Sequence, residues 1–273
     1  MHSLKTVLIG AGNVATHLGP ALGEADCQVI QVFSRTQKSA ERLADELDCR
    51  WTTDLTDVTP EAELYVFCVS DAALPLLARQ LFEHFQLTAT EADNDAEEVG
   101  ARALFVHTAG SLSVDVLPSL RRGVLYPLQT FSREQRLDLS EVPFLVESES
   151  DEALLVTLAQ HISNRVLTLD GESRRQLHLA AVFACNFTNH CYTLAHGLLK
   201  QSGLPFEVLL PLIDETARKV HSLPPAQAQT GPAVRMDRNV MQRQLDKLDD
   251  PQMKQIYELV SQSIHDKLRP EED

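Results

Sequence analysis

The residues from Gly10 to Ala15 read Gly-Ala-Gly-Asn-Val-Ala, the G-x-G-x-x-A spacing of a phosphate-binding turn. In such a turn Gly10 allows the tight bend, Gly12 leaves room for backbone to approach a pyrophosphate, and Ala15 lets helix and strand pack closely. A helix opening at Asn13 and Val14 would present free N–H groups and a partial positive charge to the phosphates. An ordinary glycine-rich strand–helix turn is the bland alternative. The next chemistry follows Gln28–Phe33, where a domain that binds NAD would carry a carboxylate for the ribose hydroxyls. Ser34-Arg35-Thr36 stands there instead, a guanidinium and two hydroxyls that suit a 2′-phosphate and so favour NADP. Arg35 as a solvated loop residue is the competing reading.

Further candidates sit at the ends of later apolar runs. Val69, Ser70 and Asp71 close one run, and Thr108 lies in His107-Thr108-Ala109-Gly110-Ser111 after another. Both loops belong to the carboxyl edge where ligands gather in such sheets, although Ser70 and Asp71 could equally cap the next helix. Farther on, Leu179–Phe187 is nearly all apolar. At about 100° per residue, His178, Asn186, Asn189, His190 and Thr193 fall within a roughly 120° arc of one helix. Such an arc could face a nicotinamide cleft, with His178 as acid–base group and Asn186 orienting substrate. It could also be a solvated face or a seam between subunits. His190 and Arg235 are candidates for substrate contact; Arg235 could instead pair with Asp237. No spacing resembles that of metal ligands, so no metal is expected.

The elements that must position these residues alternate. Thr6–Ile9, Gln28–Phe33, Leu64–Val69, 103–107, Gly123–Tyr126, Phe144–Glu147 and Val166–Leu169 are short buried-strand signals. Helical patterns cover Asn13–Gly23, Ser39–Leu47, Ala72–Phe85 and Asp151–Ile162 between them. This is the signature of an α/β doubly wound parallel sheet. After Asp170-Gly171 strand signals stop, and Glu172–Gln201, Phe206–His221, Asp237–Leu248 and Pro251–Leu268 read as helices. The expected organisation is a dinucleotide-binding domain over residues 1–170 and an all-helical domain over 171–273. Thr88–Val99, with five acids and no basic partner, reads as a solvated surface insertion.

Composition narrows the class. A formal charge of −15 argues against nucleic-acid binding, and no run of about 18 apolar residues suggests a membrane span. The start of the chain lacks a signal-peptide pattern, and five cysteines without a C-x-x-C pair read as reduced thiols. A cytoplasmic protein acting on a small molecule is expected.

Taken together, the Gly10–Ala15 turn, Ser34-Arg35-Thr36, the 107–111 loop, Tyr126-Pro127-Leu128-Gln129-Thr130-Phe131, Asn186 and Thr230–Asp237 resemble a known family. It comprises Rossmann-like proteins that carry the C-terminal helical domain of unknown function 2520. Their N-terminal half is similar to deazaflavin-dependent NADP oxidoreductases and pyrroline-5-carboxylate reductase. The resemblance spans essentially the whole chain. It implies an NADP-dependent oxidoreductase, dimeric through its helical domain, acting on an unidentified small polar metabolite. A non-catalytic NADP(H)-binding regulatory or sensor protein is the alternative. The related hydroxyacid dehydrogenases of the 6-phosphogluconate type place a catalytic lysine four residues before an asparagine. Here the residue four before Asn186 is Val182.

Overall fold

The computed structural model describes residues 3–92 and 103–268. The chain divides into two compact units, Met1–Asn186 and Phe187–Asp273. In the first, eight strands form one sheet: β1 (Leu4–Ile9), β2 (Cys27–Phe33), β3 (Arg50–Thr52), β4 (Leu64–Phe67), β5 (Leu104–His107), β6 (Arg122–Pro127), β7 (Phe144–Glu147) and β8 (Val166–Thr168). Their order is β3-β2-β1-β4-β5-β6-β7-β8, and the chain reverses its winding between β1 and β4. That switch leaves a crevice at the carboxyl ends of β1 and β4, the place where open α/β sheets take ligands.

The sheet departs from the all-parallel expectation at one pair, since β7 runs antiparallel to β6 while β8 is again parallel to β7. The connection 128–143 contains no helix, which fits this, because antiparallel neighbours need no crossover helix between them. Edge strand β3 was not expected: three residues carry too little periodicity to be read.

Strand side chains alternate between two cores. Leu8, Val66, Val106 and Leu125 pack with residues of helices α1 (Asn13–Glu24), α2 (Gln37–Leu47) and α4 (Glu152–Ile162). Val7, Ile9, Tyr65, Phe67 and Phe105 point the other way, against α3 (Leu74–Ala92). Both sheet faces are therefore covered, which explains why the strands read as unbroken apolar runs. The acidic stretch expected as an insertion from Thr88 lies mostly outside the described residues; its first part, through Ala92, continues α3.

Helix α5 (Gly171–Ala181) opens on Asp170, whose carboxylate accepts from the Ser173 N–H at 2.7 Å. It belongs with the sheet, so the first unit runs past the expected boundary at 170 to Asn186. The reason is Arg174, which is completely buried and bonded to groups of the sheet. A π-helical turn, Val182–Phe187, then leads into α6 (Thr188–Gln201). The second unit continues with α7 (Leu210–Lys219), the single turn α8 (Pro225–Ala228), α9 (Arg238–Leu245) and α10 (Pro251–Lys267). It is helical as expected. Among the described residues no helix is long and apolar enough to cross a membrane.

At the end of β5, His107 is buried, accepts the Ala109 N–H on Nδ1 at 3.2 Å, and directs Nε2 to the Ser113 carbonyl at 3.3 Å. Burial, aided by the nearby Arg174 charge, lowers its pKa from 6.5 to about 4. The unfolded chain therefore binds this proton near pH 6.5 while the folded chain stays neutral until about 4. Stability present above pH 6.5 is lost as pH falls through that window, by up to about 3 kcal/mol. Urea unfolding at neutral pH and near pH 5 should show this loss, and His107→Asn, which keeps an acceptor near Nδ1, should flatten it. An unchanged pH dependence in the variant would refute the assignment.

Candidate cofactor and substrate site

Gly10 leaves β1 with φ +111°, and a Cβ there would sit 2.5 Å from the Cys68 carbonyl oxygen at the end of β4. Both facts demand glycine. Its N–H donates to the Phe33 carbonyl at 2.7 Å, so the turn is tied to β2 as well. Gly12 caps α1 without a side-chain hydrogen bond, which leaves first-turn N–H groups free to meet an anion. A Cβ at Gly12 would meet nothing closer than 3.8 Å, so space beside it is held open rather than filled. Ala15 is buried against the sheet, and Asn13 Nδ2 donates to the Phe131 carbonyl at 2.9 Å.

A cavity of about 260 Å³ lies over this turn, lined by Gly10–Gly12, by Ser34, Arg35 and Thr36, and by Val69 and Ser70. The sequence missed one of its walls: Arg133, whose guanidinium donates to the Ala11 carbonyl at 2.9 Å and lines the same cavity. Among the described residues, two guanidiniums and no carboxylate line it. That chemistry fits a dinucleotide bearing an extra phosphate. Cys68 also borders it, but burial pushes the thiol up to about 12, so no thiolate is available there.

A second cavity of about 600 Å³ shares Gly12, Cys68, Val69 and Ser70 with the first. Val14, Thr108, His178 and Asn186 line it, so these sequence-predicted residues do converge. Thr108 Oγ1 donates to the Phe67 carbonyl at 3.2 Å, which fixes its loop to β4. Tyr126, from the end of β6, meets His178, from α5, with 2.9 Å between hydroxyl oxygen and Nδ1 and with rings in T-shaped contact. Burial raises the Tyr126 pKa, with the Arg174 charge opposing, so the phenol holds its proton at neutral pH. Gly110 makes this pairing possible: a Cβ there would lie 2.5 Å from His178 Nδ1 and 2.7 Å from Tyr126 Cζ.

Arg174 holds the site together. Its Nε lies 2.9 Å from a Glu147 carboxylate oxygen, while its remaining nitrogens donate to the carbonyls of Ala109, Gly110 and Leu112 at 3.0, 2.8 and 2.6 Å. It thereby ties the 109–112 loop to β7 and places α5 so that His178, one turn on, faces Tyr126. At the cavity wall, the Asp71 carboxylate accepts a hydrogen bond from Ser111.

The arc assumes a straight helix, and the helix is interrupted. The π turn at Val182–Phe187 takes an extra residue per turn, so a constant angle per residue does not carry across it. His178 and Asn186 line the cavity, whereas Asn189 and His190 lie beyond the turn, exposed on the second unit. Arg235 is likewise exposed on that unit.

Two family models match the sequence: a Rossmann-like domain over residues 2–131 and the domain of unknown function 2520 over 142–264. A solved structure from Bacteroides fragilis, assigned as an NADP oxidoreductase, is 47% identical, covers 97% of this chain and 99% of that one, and superposes with a TM-score of 0.86. The chain belongs to the Rossmann-like proteins that carry the domain of unknown function 2520. Two more distant structures share the fold alone. An imine reductase from Myxococcus stipitatus in complex with NADP+ is 15% identical, covering 97% of this chain and 93% of that one, at a TM-score of 0.62. A pyrroline carboxylate reductase from Plasmodium falciparum with NADP bound is 9% identical over 98% of each chain, at 0.57. No curated protein matches the sequence. The family's second module starts at residue 142, inside the sheet, so it takes in β7, α4 and β8 as well as helices. In this family member Val182 lines the second cavity, and among the described residues no lysine does.

Removing Arg174 would leave Glu147 and three carbonyls without their buried donor, a loss of about 3–5 kcal/mol. Arg174→Met is expected to lower Tm by about 10 °C in calorimetry. A Tm within a degree or two of wild type would show that the guanidinium does not hold the loop.

Proposed function

We propose that this chain is an NADP-dependent oxidoreductase that reduces a polarised double bond in a small polar metabolite. The observation that carries the reading is the shared wall between an arginine-lined dinucleotide cavity and a cavity holding a Tyr126–His178 pair. The Bacteroides fragilis relative, assigned as an NADP oxidoreductase, supports the same cofactor. The Gly10–Gly12 turn and the start of α1 would hold the pyrophosphate, Arg35 with Ser34 and Thr36 the 2′-phosphate, and Arg133 would close over the turn. When bound, the nicotinamide supplies or accepts a hydride.

The chain's own residues then handle the proton. The Tyr126 hydroxyl, kept protonated by burial, donates to the substrate atom that gains the electron pair. His178 Nδ1, at hydrogen-bond distance, steadies the phenolate that results and returns a proton to it. Asn186 orients the substrate through its amide, and Val182 and Phe131 exclude water from the wall between them. With valine at position 182, the lysine-assisted hydroxyacid dehydrogenase mechanism has no donor at that place.

Titration calorimetry and steady-state kinetics test this reading together. Arg35→Ala should weaken NADPH about ten-fold or more and leave NADH unchanged, because a charge-assisted bond to the 2′-phosphate is worth about 1.5–3 kcal/mol. Tyr126→Phe should keep NADPH affinity and lower kcat by about 10²–10⁴. Absence of NADPH binding in wild type would sink the proposal, and tight binding without turnover on a carbonyl and imine panel would return the sensor reading.

The second unit supports a homodimer. Among its described residues only Ala233, Leu248 and Ser261 are buried, while Leu204, Val208, Leu212, Val220 and Leu259 are exposed. Helices with so little of their apolar surface covered call for a partner, and a second copy of the chain supplies one of matching character. Light scattering at micromolar concentration should give twice the chain mass, and Leu212→Glu should shift it towards the monomer. A monomeric wild type would refute the assembly.

A further inference from the structure

The two cavities of the first unit carry opposite charge. Arg35 and Arg133 line the dinucleotide cavity without an acid. Among the described residues lining the substrate cavity, Asp71 is the sole Asp, Glu, Lys or Arg. Arg174 lies close behind Gly110 but is buried and engaged by Glu147 and three carbonyls, so it offers nothing to a ligand. Ser111 fixes the Asp71 carboxylate in place, and its charge acts across the cavity, where it helps keep the proton on Tyr126. A substrate anion would meet this carboxylate with no basic side chain among the described lining residues to offset it, and like charges repel.

We propose that the substrate cavity selects a cation, a protonated C=N compound without a carboxylate, and that Asp71 is its counter-ion. The inference rests on the oxidoreductase reading. In the reaction, a hydride from the reduced dinucleotide forms the new C–H bond at the iminium carbon. The C=N π pair moves to nitrogen and cancels its positive charge, giving a neutral amine and the oxidised dinucleotide. A substrate that arrives as the neutral imine first takes the Tyr126 proton. A cyclic iminium ion such as protonated 1-pyrroline fits the class, whereas its 5-carboxylate does not.

The test uses the full-length protein saturated with NADP(H). Calorimetry compares two rings of similar size, pyrrolidinium and tetrahydrofuran-2-carboxylate, and NADPH oxidation compares 1-pyrroline with 1-pyrroline-5-carboxylate. Wild type is expected to bind the cation at least ten-fold more tightly and to favour 1-pyrroline in kcat/KM. Asp71→Asn should erase that preference and Asp71→Glu restore most of it, with NADPH binding in the same titrations reporting an intact fold. Equal or tighter binding of the carboxylate, failure of both rings to bind, or an Asp71→Asn protein with the preference intact overturns the charge assignment alone. A wild type that binds no NADPH instead overturns the oxidoreductase reading on which it rests.

Discussion

A fully buried guanidinium is the constraint from which the site follows. Arg174 has no contact with solvent, so its charge persists inside the protein only because Glu147 and three backbone carbonyls surround it. Those partners come from β7 and from the loop after β5, which fixes three parts of the chain around one side chain. The consequence reaches His178, four residues along the same helix, because Gly110 in the tethered loop packs directly against its imidazole. Burial keeps His107 neutral with the same charge aiding, and that charge opposes the burial-driven rise at Tyr126. One cation thus sets the geometry of the groups around it, while burial sets their protonation and the cation modulates it.

The two glycines of the turn differ in why they are glycine. At Gly10 the reason is internal: positive φ and the Cys68 carbonyl leave no place for a side chain, whatever binds. At Gly12 nothing in the chain forbids a Cβ. The space is needed only by something outside the chain, and that makes Gly12 the better witness to a ligand. Arg133 strengthens the witness, since it reaches the turn from far along the sequence and brings a second cation to the same cavity.

Local features were legible in the sequence because local spacing creates them. The turn, the apolar strands and the Ser34-Arg35-Thr36 end of β2 each need only neighbouring residues to be recognised. Tyr126 with His178, Arg174 with Gly110, and Asp71 with Ser111 are separated by 52, 64 and 40 residues, and no periodicity announces such pairs. Arg174 is hidden further by looking like any arginine on an amphipathic helix. The π turn defeated the arc of polar residues because a constant angle per residue was assumed across it. Asn186 nonetheless lines the cavity, while the residues beyond the turn belong to the other unit.

The valine at 182 and the aspartate at 71 bear on each other. A lysine ammonium in this wall would repel an incoming cation and attract a carboxylate, including Asp71 itself. With valine there, the wall is neutral and the carboxylate across the cavity is left as its one fixed charge. For a substrate that arrives as the neutral imine, the proton must then come from a neutral group, and Tyr126 is such a group, held in its protonated form by burial. A phenol that loses a proton beside an imidazole develops negative charge in the same region where a cationic substrate loses its own positive charge. Keeping lysine out of that region and arginine confined behind Gly110 leaves the electrostatics of the cavity to Asp71, and ties the choice of substrate to the choice of proton donor.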